Sequence, residues 1–152
     1  MLKWHKKQLI ISYDIKNFYY NYIVHFLLGS LKANTSFYEE GVNLYKDKKF
    51  SKAKFKFEQD IVFNPKSEKS YLYLSKIFKE FDKKDLQEQN LNTVILLNPE
   101  NEEAIYSLAK LKLESSDYKT SHELNEKLIN ICNKFCNKSK KLKAEIESLS
   151  KK

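Results

Sequence analysis

The chain has 152 residues, of which 41% are hydrophobic and 32% charged, with only two glycines and two prolines. That length holds one domain with a sizeable core, the composition excludes a disordered tail, and the scarcity of Gly and Pro excludes the many tight turns of a sandwich or barrel. The net charge of +8 is carried by lysine, with no arginine in the chain, so the planar fork that nucleic-acid readers use for bidentate contacts is missing and nucleic acid is not an expected partner.

The first 33 residues differ in character from the rest. Lys3, Lys6, Lys7 and Lys16 precede an apolar run from Phe18 to Gly29, and Ser30, Leu31, Lys32 and Ala33 follow it. A basic start, a short apolar run and a small residue describe a secretory signal peptide. Cleavage after Ala33 would place the mature chain in the periplasm or outside the cell. Asp14, Asn21, His25 and the large Leu31 depart from that pattern. The alternative is an extra N-terminal helix packed on the following structure, in a cytoplasmic protein. The run is too short and polar for a transmembrane span, which needs about 20 apolar residues.

From residue 34 the chain repeats. Asn64-Pro65 and Asn98-Pro99 lie 34 residues apart, each after an apolar stretch, Asp60 to Phe63 and Val94 to Leu97. Proline disfavours helical geometry in the residue before it and so closes one helix before the next begins. Counted from Asn34, the first unit places Phe37, Gly41, Leu44, Phe50, Ala53 and Phe57 at alternating large and small positions. The second, from Glu68, places Tyr71, Leu74, Ser75, Phe78, Leu91 and Val94, with Gln87 where a small residue is usual. The third, from Glu102, places Ile105, Leu108, Ala109, Tyr118, Ser121 and Leu128, with Lys112 and Asn125 as departures. This pattern resembles the tetratricopeptide-repeat family. The resemblance implies an all-α superhelix, a solenoid of about three helix pairs over 34–67, 68–101 and 102–136. Apolar spacings of three and four, as in Tyr71, Leu74, Phe78 and Phe81, agree independently.

At the C-terminal end, Leu128, Ile129, Ile131, Cys132 and Phe135 extend the sixth helix, and Asn137-Lys138-Ser139 reads as a break with Ser139 as N-cap. Leu142, Ile146 and Leu149 then form the apolar stripe of a capping helix over 137–152. Cys132 and Cys136 share one helix face. An oxidising compartment would favour a disulfide between them, although Cβ vectors one turn apart on a regular helix do not aim at each other; two reduced thiols at a helix contact are the alternative. No metal site is expected, because zinc wants four ligands and the nearest imidazole, His122, is ten residues upstream. Isolated glycines, scattered histidines and acid pairs at helix starts give no catalytic motif and no cofactor loop, so the chain is not expected to be an enzyme.

In the family, the first helices of the pairs line a concave binding face. The resemblance implies that Tyr38, Val42 and Tyr45, then Leu72, Lys76 and Lys79, then Tyr106, Lys110 and Leu113 would line it here and contact a protein or peptide partner. Its lysines would favour an acidic segment or a terminal carboxylate. The family's own carboxylate clamp is absent, since Tyr38, Val42, Tyr73, Glu103 and Ser107 stand at its sites. The expected function is that of a non-catalytic adaptor, in the bacterial envelope if the chain is exported. The alternative is a structural subunit whose stack is completed by a neighbour.

Overall fold

A computed structural model describes residues 37–150. The signal-peptide reading of residues 1–33 lies outside the described residues. Helix α1 covers residues 37–46, and is followed by α2 (Phe50–Phe63), α3 (Glu68–Glu80), α4 (Lys84–Leu97), α5 (Glu102–Glu114), α6 (Tyr118–Ile131) and α7 (Cys136–Leu149). No strand occurs among the described residues. The helices form an all-α superhelix of three antiparallel pairs, α1/α2, α3/α4 and α5/α6, finished by α7.

The 34-residue period is carried by the backbone as well as by the side chains. Second helices start at Phe50, Lys84 and Tyr118, and first helices at Glu68, Glu102 and Cys136. The capping helix α7 is therefore in register as the first helix of a fourth unit. Within each pair the turn contains one left-handed residue, Lys48 (φ 58°), Asp82 (φ 51°) or Ser116 (φ 61°), again 34 apart. The turns close in the same way. The N–H of Lys49 donates to the Leu44 carbonyl, Lys83 to Phe78 and Asp117 to Lys112, each at 2.9 Å, while the left-handed residue donates three positions back. These paired bonds satisfy the orphan carbonyls at each first-helix end.

Between pairs, Pro65 and Pro99 end the helices α2 and α4. The third junction has no proline. Cys132 stands at the repeat position of Asn64 and Asn98, and Cys136 at that of Glu68 and Glu102. The two cysteines are joined in a disulfide with their Cα atoms 5.2 Å apart. The break in the chain falls at residues 132–135, with Cys132 in extended geometry (φ −63°, ψ 139°) just beyond α6. Leaving the helix at Cys132 removes the obstacle that a regular helix would pose to the bridge. Ser139, expected as an N-cap, lies inside α7 and is buried. Its hydroxyl donates to Asn125 Oδ1 at 3.0 Å, and its carbonyl accepts from Asn125 Nδ2 at 3.2 Å. Asn125 occupies the position filled by Phe57 in the first pair, so a polar bond replaces an aromatic contact at the end of the stack.

The core runs along the stack in consecutive clusters. Ala53, Phe57, Leu74, Ile77 and Phe78 join the first two pairs. Leu91, Val94, Ala104, Leu108 and Leu111 join the second to the third. Ala109, Leu113, Leu142 and Ile146 join the third to α7. Each fully buried Phe, Leu, Ile or Val among them contributes about 1.5–3 kcal/mol by leaving water, and each alanine less. Because every cluster links only neighbours, stability is a sum of local interfaces along the stack.

Carboxylates lock the junctions. Asp60, 2% exposed, accepts from Ser67 Oγ at 2.6 Å and Ser70 Oγ at 2.5 Å, tying α2 to α3. Glu68 accepts from Asn98 Nδ2 at 3.1 Å and from Asn101 Nδ2, holding the turn that follows α4. One repeat later, Glu102 accepts from the backbone N–H of Lys134 at 2.9 Å and of Phe135 at 2.7 Å. Desolvation works to raise the Glu102 pKa, but the N–H groups of Phe135, Asn133 and Lys134, with the Lys134 charge, outweigh it and hold the carboxyl below its usual range. A lowered folded-state pKa means stability that is present above the unfolded value and lost as pH falls through the folded one. Hydrogen-exchange protection of the α7 amides should therefore fall in acid, and Glu102→Gln should lower it at neutral pH and flatten its acid dependence. An unchanged acid profile in that variant would assign the effect to another group.

Candidate functional site

The first helices α1, α3, α5 and α7 stand side by side. Two ion pairs bridge neighbouring first helices: Lys76 Nζ of α3 to Glu103 Oε1 of α5 at 2.8 Å, and Lys110 Nζ of α5 to Glu145 Oε1 of α7 at 2.9 Å. Both pairs are partly exposed, so each is worth about 0–1 kcal/mol in stability. Their larger effect is on charge, because two of the three lysines assigned to this face already hold carboxylates. Lys79, the third, is exposed.

At the α1/α3 end the face is aromatic. The Tyr73 ring stacks on Phe57 (centroids 4.9 Å apart, planes 10° apart), and the rings of Tyr45 (5.2 Å, 72°) and Tyr38 (6.0 Å, 67°) meet it edge-on. The Lys76 ammonium lies 5.0 Å from the Tyr73 centroid, a cation–π contact that adds to its pairing with Glu103. Perpendicular rings of this kind satisfy the quadrupole preference of aromatic side chains. Tyr38, Tyr45 and Tyr73 are all half-buried and pack against the core around Phe57 and Leu74, as does Val42. Burial, then the Tyr73 and Asp60 side chains, push the Tyr38 hydroxyl above the usual tyrosine range. For Tyr45 the causes are burial, then Glu80, Tyr73 and Glu103. Both hydroxyls therefore stay protonated, as hydrogen-bond donors, at neutral pH.

The α5/α7 end is more closed. Leu113, expected to line the groove, is instead a core residue, 5% exposed and packed with Ala109, Leu142 and Ile146. The register of α7 as a fourth first helix explains this, because α7 covers the side of α5 that a ligand would otherwise meet. Tyr106 is half-buried; its ring lies 5.6 Å from that of Phe135, and Lys138 sits over both rings. Leu72 is half-buried against the cluster between the second and third pairs. Tyr73, Glu103 and Glu145 take part in this face without being assigned to it from sequence. Tyr73 and Glu103 enter there only as departures from the family's clamp, although Tyr73 lies one repeat plus one residue after Tyr38. Glu145 becomes visible only once 34 is added to the start of α5 and α7 is placed in register.

No group of His, Cys, Asp and Glu side chains among the described residues could hold a metal ion. No helix among them is long and apolar enough to cross a membrane.

No protein-family model matches the sequence, and no curated protein matches it. Solved structures match in fold. The TPR2B domain of yeast Sti1, in a complex with pHsp70, superposes with a TM-score of 0.70 at 12% identity, covering 78% of this chain and 98% of that one. The Yersinia enterocolitica type III secretion chaperone SycD, in complex with a peptide of the translocator YopD, gives 0.69 at 17% identity, covering 78% and 94%. The TPR domain of Arabidopsis OM64 gives 0.66 at 20% identity, covering 75% and 97%. These superpositions span most of this chain, and together with the 34-residue backbone period they identify its fold as that of a tetratricopeptide-repeat domain.

Proposed function

We propose that this chain is a non-catalytic adaptor that binds a polypeptide segment on the face formed by α1, α3 and α5. The observation that carries the reading is the row of half-exposed tyrosines, Tyr38, Tyr45 and Tyr73, along adjacent first helices. Tyrosine supplies rigid amphipathic contact area and is enriched where protein surfaces dominate binding energy. Solved domains of the same fold captured with peptides, such as SycD with its YopD segment, support the choice of ligand class. Fold alone does not fix function, so the site has to be tested directly.

A photo-crosslinking side chain placed at Lys79, and in a separate variant at Leu96 on the opposite, exposed face of α4, makes that test in the native cell. The reading expects one polypeptide crosslinked from Lys79 and not from Leu96. Equal crosslinking from both positions, or crosslinking from Leu96 alone, overturns it.

The compartment belongs to the same proposal: the mature chain begins after Ala33 and acts outside the cytoplasm, in the periplasm or beyond. The Cys132–Cys136 bridge supports this, since such bonds form and persist in oxidising compartments. Intact-mass measurement of the native protein after alkylation of free thiols is expected to give a chain starting at Asn34 with both cysteines unalkylated. A full-length chain with two alkylated thiols refutes export.

A further inference from the structure

The paired charges bear on which polypeptide the face accepts. A groove built to attract an acidic tail needs cations free to meet carboxylates, as point charges or bidentate forks. Here Lys76 is held by Glu103 and by the Tyr73 ring, and Lys110 is held by Glu145. An acidic ligand would meet an internal carboxylate beside each, so its gain there is smaller than at an unpaired lysine. Lys79 is followed in sequence by Glu80, whose charge reaches the Tyr45 hydroxyl. Near the tyrosines, therefore, the cations stand among carboxylates, with Glu103 paired to Lys76.

What the face does present is aromatic relief. Tyr38 and Tyr45 stand edge-on to Tyr73, with centroids 6.0 and 5.2 Å from it. Rings set at these angles offer both faces and edges to apolar side chains. The Tyr38 and Tyr45 hydroxyls, protonated at neutral pH, can donate to backbone carbonyls of a ligand. Proline-bearing extended segments suit this chemistry, because they keep their carbonyls outward, carry no charge, and lose little entropy on docking to aromatic surfaces. At the other end, Leu113 is buried, and Phe135 and Lys138 lie against the Tyr106 ring, so less apolar surface is offered there.

Resting on the concave-face reading above, we infer that the bound segment is extended and uncharged, anchored by proline or aliphatic side chains on the Tyr38–Tyr45–Tyr73 cluster, and is not an acidic tail or a terminal carboxylate.

The experiment is selection of short random-sequence peptides against the full chain, followed by affinity measurement of the selected peptides at low and moderate salt. The expected winners are rich in proline and aliphatic residues and near neutral. Their affinity should change by less than about twofold with salt, since no exposed ion pair is screened on binding. Tyr45→Ala should weaken them by about tenfold or more, the scale of a well-packed aromatic contact. Lys76→Met should leave the weak salt dependence of that affinity as it is, since no ligand carboxylate pairs with the ammonium. Should Tyr45→Ala disturb the fold, Tyr45→Phe, which retains the ring, is expected to lose only the hydroxyl's share, about three- to tenfold. Winners rich in Asp and Glu, weakened by salt and by Lys76→Met, overturn the chemistry while leaving the concave site standing. Winners indifferent to Tyr45 and Lys76 substitutions overturn the concave site and this inference with it.

Discussion

Phe57→Ala is expected to destabilise the fold by about 3–5 kcal/mol, read from the urea midpoint of the circular-dichroism transition. Phe57 is fully buried and serves two interfaces at once. Within its own pair the ring lies against Gly41, where an added Cβ would come within 2.8 Å of it. It also tilts against Tyr38 of its own pair, and towards the second pair it stacks on Tyr73. Removing the ring leaves a cavity between two rigid helix pairs, and helices held by turns at both ends cannot collapse fully into it. The same variant removes the floor beneath Tyr73, so the tyrosine cluster should loosen together with the core. A loss below about 1 kcal/mol, the usual effect of a surface substitution, would mean that Phe57 does not bridge the pairs.

Leu142→Ala is the second large effect, about 2–5 kcal/mol at the site, but its signature differs. Leu142 is 1% exposed and joins α7 to Ala109 and Leu113 of α5. Beyond α7 no described helix follows, so the damage stays at one end of the stack. In a solenoid each unit touches only its neighbours, and terminal units open first. Hydrogen exchange should accelerate throughout α7, with α2 and α3 protected as before. Opening α7 would also release Lys110 from Glu145 and uncover Leu113, converting the closed end of the face into the open groove expected from sequence. Uniform acceleration across all helices would show instead that the stack unfolds as one unit.

The junction before α7 shows how one backbone task can be performed by different chemistry. At the first two junctions the Asn-Pro pairs stop the helix and Glu68 or Asp60 fastens the turn. At the third, proline is replaced by Asn133, and the Cys132–Cys136 bond spans the same repeat positions. Glu102 fastens that turn through two backbone N–H groups instead of side-chain amides. The helix starts keep their period of 34 through this change.

Much of this was legible in the chain itself. Proline spacing, and the alternation of large and small residues at Phe37, Gly41, Ala53 and Phe57, specify helix pairs because they encode local events: a helix stop, and a close approach that tolerates no Cβ. Such events depend on residues a turn or two apart, or on one facing helix, and so they survive in a one-dimensional pattern. What the pattern could not decide is how neighbouring first helices divide their polar groups. Lys76 and Lys110 read as free cations because their partners, Glu103 and Glu145, lie 27 and 35 residues away on the next first helix. Leu113 read as a groove residue because its burial depends on α7 taking its place in the stack. Ser139 read as a cap because its bond to Asn125 joins two helices across a turn. The sequence by itself determined the repeat and its helices, since local sterics and periodic burial suffice for them. Only the tertiary structure decided which charges are spent internally and which part of the face stays open, because both follow from the superhelical packing of one unit on the next.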